Sequence, residues 1–172
     1  LFFFRADVDC PLGWEQLIEG DEFAFEALCS ISSNLLLAAT CSIPVNMYSK
    51  QRLRLIDTRD GKVIKIFSKM GKNDGEIYFP RCIQRYNENI FVLDKTGRIQ
   101  EFTLDGKFVR IAAQIDAYIG NAFVIEDDGV ALLACSGIVL DRDNQTICDD
   151  WLEKVPLNGS KWLPDLNHGD RR

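Results

Sequence analysis

Apolar residues recur along this chain in short runs, and turn-forming residues separate the runs. Polar and apolar positions alternate through residues 98–102, as is typical of a strand with one buried face, and an apolar run at 89–93 ends at Asp94. The pairs Asp60-Gly61 and Asp105-Gly106 each lie between two such runs, where Asp-Gly favours a tight hairpin turn. The pattern predicts an all-β chain.

The two Asp-Gly turns lie 45 residues apart, which matches the ~40–45 residues of a propeller blade made of four strands. Two blades are therefore predicted in series. We expect the strands of the first blade at 25–31, 34–40, 52–58 and 62–67. A third and weaker unit is predicted from strands at 121–126, 130–136, 138–141 and 146–151.

The second blade, residues 75–110, carries an ordered set of short motifs between its predicted strands. They are Gly75, Pro80, Ile90 to Val92, Asp94, Arg98-Ile99-Gln100, Phe102, Asp105-Gly106 and Phe108-Val109. In this order and spacing the unit resembles the NHL repeat. Ile77 stands where the repeat usually has Phe, and Gly97 stands where Asn usually precedes the Arg.

The resemblance implies an all-β, partial NHL-type β-propeller of about three to four four-stranded blades. We expect residues 1–22 to be a remnant strand of a preceding blade with its connector, because the chain opens with an apolar run at 1–4. The predicted blades are residues 23–68, an NHL-like blade at 69–113 and a degenerate blade at 114–151. Residues 152–172 are expected to pack as a tail on the last sheet or to begin a further blade.

Charge is distributed unevenly along the chain, whose formal net charge is −6. Residues 50–110 contain 14 Lys and Arg against 8 Asp and Glu, whereas the rest of the chain contains 6 against 18. An anion-binding surface is therefore expected in the central blades, and the acidic flanks argue against nonspecific attraction of the whole chain to nucleic acid. The alternative interpretation of these charges is solvated strand faces and turns.

Six cysteines are present without any close pair, and most lie in apolar strand patterns. We expect buried thiols, with disulfides as the alternative. Asn144 and Asn158 open glycosylation triplets, which belong to an extracellular alternative. No membrane span or signal pattern is visible in the sequence, and we expect a cytoplasmic location without a membrane partner.

Candidate binding residues lie in the connector that enters the second blade and in the loop between its second and third strands, which open on the same face of a propeller. They are Lys72, Tyr78, Arg81, Lys95 and Arg98. Cations beside an exposed aromatic ring are suited to holding single-stranded nucleic acid. NHL proteins of the tripartite-motif type use this face for RNA or for protein partners. A structural alternative pairs Arg98 with Asp94, and packs Tyr78 within the connector.

Enzymatic function is not predicted for this chain. Propeller enzymes such as amidating lyases and lactonases hold a metal through convergent ligands, yet His168 is the only histidine and lies outside the strand pattern. No motif for a nucleophile, a phosphate loop or a cofactor is visible, so no cofactor is expected. The resemblance implies a recognition platform with a protein partner, or with RNA. Ubiquitin-ligase activity, if the parent protein has it, belongs to upstream domains.

Overall fold

The computed structural model describes residues 23–115, 119–140 and 146–162 of the chain, and the described residues form strands and turns without a helix. The strands are β1 (Phe23–Ser32), β2 (Leu35–Ser42), β3 (Gln51–Asp57), β4 (Val63–Phe67), β5 (Pro80–Tyr86), β6 (Asn89–Asp94), β7 (Arg98–Thr103), β8 (Phe108–Ile115), β9 (Ile119–Ile125), β10 (Val130–Leu140), β11 (Thr146–Pro156) and β12 (Ser160–Trp162). The prediction of an all-β chain is confirmed.

The strands form three sheets, which follow one another along the chain. The first sheet has the order β1-β2-β3-β4, the second has the order β5-β6-β7-β8 with β12 added outside β8, and the third has the order β9-β10-β11. Neighbouring strands are antiparallel, except for β12 on β8. β1 contacts β5 and β5 contacts β9, so the first strands of successive sheets lie together. This is a partial, propeller-like arrangement, and it is not closed within the described residues.

Two apolar cores hold the sheets face to face. Leu37 and Leu53 from the first sheet pack with Ile83 and Phe102 from the second, and each is at most 2% exposed. A matching core lies between the second and third sheets, built from Leu93, Ile99, Ile115, Phe123 and Leu133. Complete burial of such a side chain stabilises the fold by about 1.5–3 kcal/mol. The period-two alternation of the strands therefore places one apolar face toward each neighbouring sheet.

The third sheet differs from its prediction. We expected separate strands at 130–136 and 138–141, but Val130–Leu140 is a single strand, β10. Its pairing with β11 continues from Val130 opposite Pro156 to Leu140 opposite Thr146, and Gly137 stays in the ladder opposite Asp149. Glycine weakens a strand and often marks a bulge. Here the residues on both sides of Gly137 remain paired, Ser136 with Asp150 and Ile138 with Cys148, so the strand continues. The third sheet therefore has three strands, and β11 extends to Pro156, beyond the expected limit at residue 151.

Residues 152–156 belong to β11 of the last sheet, and Leu157 packs against the core shared by the second and third sheets. Within the described residues the chain then leaves the last sheet and begins no further blade. It returns to the second sheet, where β12 pairs in parallel with β8. The Gly159 N–H donates to the Ala112 carbonyl at 2.7 Å, and Arg110 donates to the Leu157 carbonyl at 2.9 Å. The outer edge of β8 offers unpaired backbone groups, and this segment satisfies them.

Several predictions fall outside the described residues. They concern the remnant strand in residues 1–22, the glycosylation triplet at Asn144, the side chains of Cys10 and Cys148, and His168. The four cysteines whose side chains are described are free thiols: Cys41 and Cys135 are buried, and Cys29 and Cys82 are half-buried. In the part of the chain that the structure describes, no helix has the length and apolarity that a bilayer crossing requires.

Candidate recognition surface at one end of the sheets

Strand register places three loops at the same end of the first two sheets. Cys41 lies opposite Gln51, so residues 43–50 connect β2 to β3 at that end. β4 runs back toward it, since Leu53 lies opposite Phe67, and residues 68–79 leave from there toward β5. In the second sheet Pro80 lies opposite Asp94, which places residues 95–97 beside that connector. We call the surface formed by 43–50, 68–79 and 95–97 the loop face; the turns at 58–62 and 104–107 lie at the opposite end.

The loop at 43–50 exposes a concentration of large apolar side chains. They are Ile43, Val45, Met47 and Tyr48, with exposed fractions of 50%, 51%, 63% and 81%. Single exposed apolar residues are common on protein surfaces, whereas a contiguous group of them marks an interaction site. The sequence prediction did not include this loop. The signal was present as an apolar, Pro-containing stretch between two predicted strands.

The same loop is held in one shape by hydrogen bonds from its own polar residues. Ser49 is buried; its hydroxyl accepts from the Asn46 N–H at 2.7 Å and donates to the Pro44 carbonyl at 2.9 Å. The Asn46 side-chain oxygen accepts from the Tyr48 N–H at 2.8 Å. At the stem, the Ser42 N–H donates to the Lys50 carbonyl at 2.9 Å. The apolar side chains are therefore displayed by a preorganised loop, which lowers the entropic cost of binding.

A second group of side chains lies where the connector meets the 95–97 loop. The rings of Tyr78 and Phe79 pack edge to face with their centroids 5.0 Å apart. The Lys72 ammonium lies 5.0 Å from the centre of the Tyr78 ring, and the Lys95 ammonium lies 5.5 Å from that of Phe79. Both lysines are exposed and both rings are half-buried. The structure therefore brings three of the predicted site residues together, namely Lys72, Tyr78 and Lys95.

Arg98 has a different position from the one its site role requires. Its side chain is 7% exposed, and its guanidinium lies 2.6 Å from the carboxylate of Asp94, which is fully buried. It also donates to backbone carbonyl oxygens of the connector, those of Gly71, Lys72, Asn73 and Glu76, at 2.7 to 3.3 Å. The structure therefore shows the pairing of Arg98 with Asp94 that the structural alternative gave, and the guanidinium donors are used inside the second sheet and its connector.

Two more residues fix the connector to the blade. The Gln100 side-chain oxygen accepts from the Gly75 N–H at 3.0 Å, and its amide donates to the Glu76 carbonyl at 2.6 Å. Asp94 accepts from the Tyr78 N–H at 3.3 Å. Because these bonds hold the backbone around Tyr78, the buried polar residues of β6 and β7 determine where the exposed residues of the connector lie.

Arg81 lies outside this group. It is exposed on β5, and within the described residues no hydrogen bond or ion pair holds its side chain.

The connector also has its own internal ion pair, between Lys69 and Glu76 at 3.1 Å. A hydrogen bond from the Asn73 backbone, followed by the contribution of Lys69, keeps the pKa of Glu76 below its ordinary value. The Glu76 charge is thus already matched within the connector.

The described residues contain no group of three or more His, Cys, Asp or Glu side chains that could hold a metal ion. Asp57 ends the third strand of the first sheet and Asp94 ends the second strand of the second sheet, so the two lie at opposite ends of their sheets, and each has a local partner. Asp57 pairs with Arg59 at 2.5 Å, and Asp94 pairs with Arg98. The chemistry available on the loop face is therefore apolar contact, aromatic contact and positive charge.

Comparison with solved structures supports the all-β fold, and comparison with family models does not assign the chain to a family. No family model matches the chain. The computationally designed Ika4 protein shares the fold with a TM-score of 0.50 and 12% identity, over 86% of this chain and 76% of that protein. A protein of unknown function from Bacteroides caccae has 13% identity, a TM-score of 0.44 and coverage of 84% and 50% respectively. The designed Ika8 protein has 11% identity, a TM-score of 0.45 and coverage of 80% and 44%.

Proposed function

We propose that this chain is an NHL-type propeller segment that serves as a protein-recognition platform within a larger protein, with the loop face as its contact surface. The observation that carries the proposal is the preorganised loop at 43–50, which exposes four large apolar side chains. Tyrosine and methionine are enriched in protein interfaces, and a few such residues supply most of the binding energy. The same end of the sheets carries the aromatic and cationic residues of the connector.

The contacts of the second sheet support the NHL assignment. The resemblance rests in part on Asp94 and on Arg98-Ile99-Gln100, and each of these polar residues has a defined partner. Arg98 and Gln100 hold the connector, and Asp94 pairs with Arg98. The motif thus has a physical reason to recur in a blade whose connector must be fixed. The proposed chemistry is recognition, in a cytoplasmic protein, and any ubiquitin-ligase activity of the parent protein would reside in other domains.

RNA is the second candidate ligand, and one specific observation favours it. Lys72 and Lys95 lie over the rings of Tyr78 and Phe79, and no carboxylate among the described residues pairs with either lysine. Cations beside aromatic rings can hold phosphates and stack bases. RNA would contact this group but would leave the apolar loop at 43–50 unused, which is why a protein partner is preferred. Binding of RNA would weaken steeply with added salt.

A comparison of captured partners tests the proposal. The full chain, fixed to a resin, is compared with the double variant Met47→Ser, Tyr48→Ser and with the control Ile64→Ser, Leu152→Ser, which removes exposed apolar side chains from strands elsewhere. We expect the wild type and the control to capture the same proteins in equal amounts, and the loop variant to lose them. These proteins should remain bound after ribonuclease treatment.

Two results would contradict the proposal. Equal capture by the loop variant and the control would show that the loop face is not the contact surface. Loss of the captured material after ribonuclease would transfer the function to RNA. Both variants change only exposed side chains, so circular dichroism and urea unfolding should match the wild type and separate a binding defect from a folding defect.

A further inference from the structure

Positive charge on the loop face exceeds negative charge once internal pairs are removed. Lys69 is paired with Glu76. Within the described residues no carboxylate lies in ion-pair distance of Lys50, Lys72 or Lys95, and all three are exposed. The one other carboxylate of these loops is Asp74, so a net positive surface remains. A partner that binds there gains from bringing anions of its own.

The two central cations are positioned rather than freely extended. Lys72 and Lys95 lie 5.0 and 5.5 Å from ring centres, within the ~6 Å over which cations and aromatic rings attract one another. The Lys95 N–H also donates to the carbonyl oxygens of Tyr78 and Phe79, at 2.9 and 3.1 Å. This fixes the backbone under Lys95 to the ring pair. The two ammonium groups are thus held against one aromatic pair, with their donors open to solvent.

The apolar loop and the cationic group are joined in one surface. The Phe79 N–H donates to the side-chain oxygen of Gln51, the residue that ends the 43–50 loop at the start of β3. Lys50 precedes Gln51 and is itself exposed. This hydrogen bond therefore links the stem of the apolar loop to the aromatic pair that carries the two lysines.

We propose that the loop face binds acidic peptide segments of a protein partner, in which Asp or Glu residues lie beside large apolar residues. This deepens the proposed function and rests on it. The apolar side chains of the ligand would pack on the loop at 43–50, and its carboxylates would accept hydrogen bonds from Lys72, Lys95 and Lys50. RNA would satisfy the lysines but not the apolar loop. A membrane surface offers mobile lipid headgroups, whereas ring-bound lysines suit anions at fixed positions.

Selection from a library of random peptides displayed on phage tests this inference directly. The full chain is the bait, and the composition of the selected peptides is the readout. We expect enrichment of Asp and Glu next to Leu, Ile, Met or aromatic residues. The variant Lys72→Glu, Lys95→Glu should lose these peptides and bind them at least about tenfold more weakly, while Lys62→Glu, Lys107→Glu, at the opposite end of the sheets, should bind them as the wild type does.

A charge exchange sharpens the test. Replacing the acidic residues of a selected peptide by Lys should abolish its binding to the wild type and restore binding to Lys72→Glu, Lys95→Glu. Selection of neutral or basic peptides that still require Met47 and Tyr48 would overturn the acidic preference and leave the proposed function intact. Failure to select any peptide that depends on those two residues would count against the proposed function itself.

Two further probes check the other ligand classes. Single-stranded RNA and vesicles of phosphatidylserine are compared with vesicles of phosphatidylcholine, using the same pair of charge variants. Stronger binding of RNA or of the anionic vesicles than of the selected peptides, with loss in Lys72→Glu, Lys95→Glu, would overturn the peptide proposal. Weak binding of both, equal in the two variants, is the expected result.

Discussion

Replacement of Arg98 by Met should remove the central support of the connector while keeping most of the side-chain volume. The guanidinium pairs with buried Asp94 at 2.6 Å and donates to four carbonyl oxygens between Gly71 and Glu76. A methionine can make none of these bonds. The fully buried carboxylate of Asp94 would then have no cation beside it, and the connector would lose its main attachment to the second sheet.

The expected magnitude follows from this burial. Breaking a buried ion pair by removing one partner costs about 3–5 kcal/mol, because the remaining charge stays desolvated. Asp94 keeps its hydrogen bond from the Tyr78 N–H and bonds from Thr96, which favours the lower part of that range. Such a loss is a large share of the ~5–15 kcal/mol by which domains are stable. The double variant Asp94→Asn, Arg98→Met removes both charges and should be more stable than Arg98→Met alone.

Equilibrium unfolding in urea gives the free energy, and amide hydrogen exchange gives the location. Protection of the backbone amides at 71–77 should fall in Arg98→Met by more than that of β6 or β2. The matched control is Arg81→Met, which removes an exposed arginine from β5 of the same sheet and should change the free energy of unfolding by less than about 0.5 kcal/mol.

A small loss of stability in Arg98→Met would contradict this account of the Arg98–Asp94 pair. If Arg98→Met lowers the free energy of unfolding by less than about 1 kcal/mol, the pair has the low value of a surface salt bridge, and the burial of Asp94 has no energetic consequence. Unchanged exchange at 71–77 would show independently that the carbonyl bonds do not hold the connector.

Three further predictions concern single sites. Gly97→Ala should lower the free energy of unfolding in urea by at least about 1–3 kcal/mol, because φ is +79° and the new Cβ would lie 2.0 Å from a carbonyl oxygen of β8. The control Gly159→Ala has a similar φ of +86°, but its nearest neighbouring atom is 3.8 Å away, so its free energy of unfolding should fall by less. The side-chain hydrogen bond from Arg59 lowers the pKa of Asp57 to about 2. The contribution of Asp57 to stability is therefore complete above the unfolded-state pKa and is lost as the pH falls from 3.8 toward 2. A carboxyl NMR titration should show the lowered pKa, and Arg59→Gln should raise it. Burial raises the pKa of Cys135 to about 11, so iodoacetamide should modify it in urea but not in the native protein, as mass spectrometry would show; equal rates in both states would contradict this.

The strands of the first two sheets were predictable because two local signals agreed. Period-two alternation placed β3 and β7, and the Asp-Gly turns placed the chain reversals at 58–62 and 104–107. Gly61 and Gly106 indeed have positive φ values, of 73° and 82°, which this turn chemistry requires. In the third sheet no Asp-Gly turn follows β10, and the predicted break between 136 and 138 falls at Gly137, where the ladder with β11 continues.

The candidate site was predictable only in part. Lys72, Tyr78 and Lys95 come together because sequence motifs located the connector and the loop after Asp94. The apolar loop at 43–50 was missed, because apolar residues in a sequence normally indicate a strand or a core, and their exposure depends on tertiary structure. The parallel pairing of β12 with β8 joins residues distant in sequence, and no local pattern specifies such a partner.

Buried and exposed residues of the second sheet have different roles, which predicts that the proposed recognition and the stability of the fold can be changed separately. Arg98 and Gln100 hold the connector backbone from inside, whereas Lys72 and Lys95 place their charges on its outer side. Charge reversal at the two lysines should therefore change the ligand without changing the fold. Loss of Arg98 should disturb both, because one of the backbone carbonyls that it holds belongs to Lys72 itself. The proposed recognition surface should therefore tolerate substitution at its exposed positions as long as the buried supports remain.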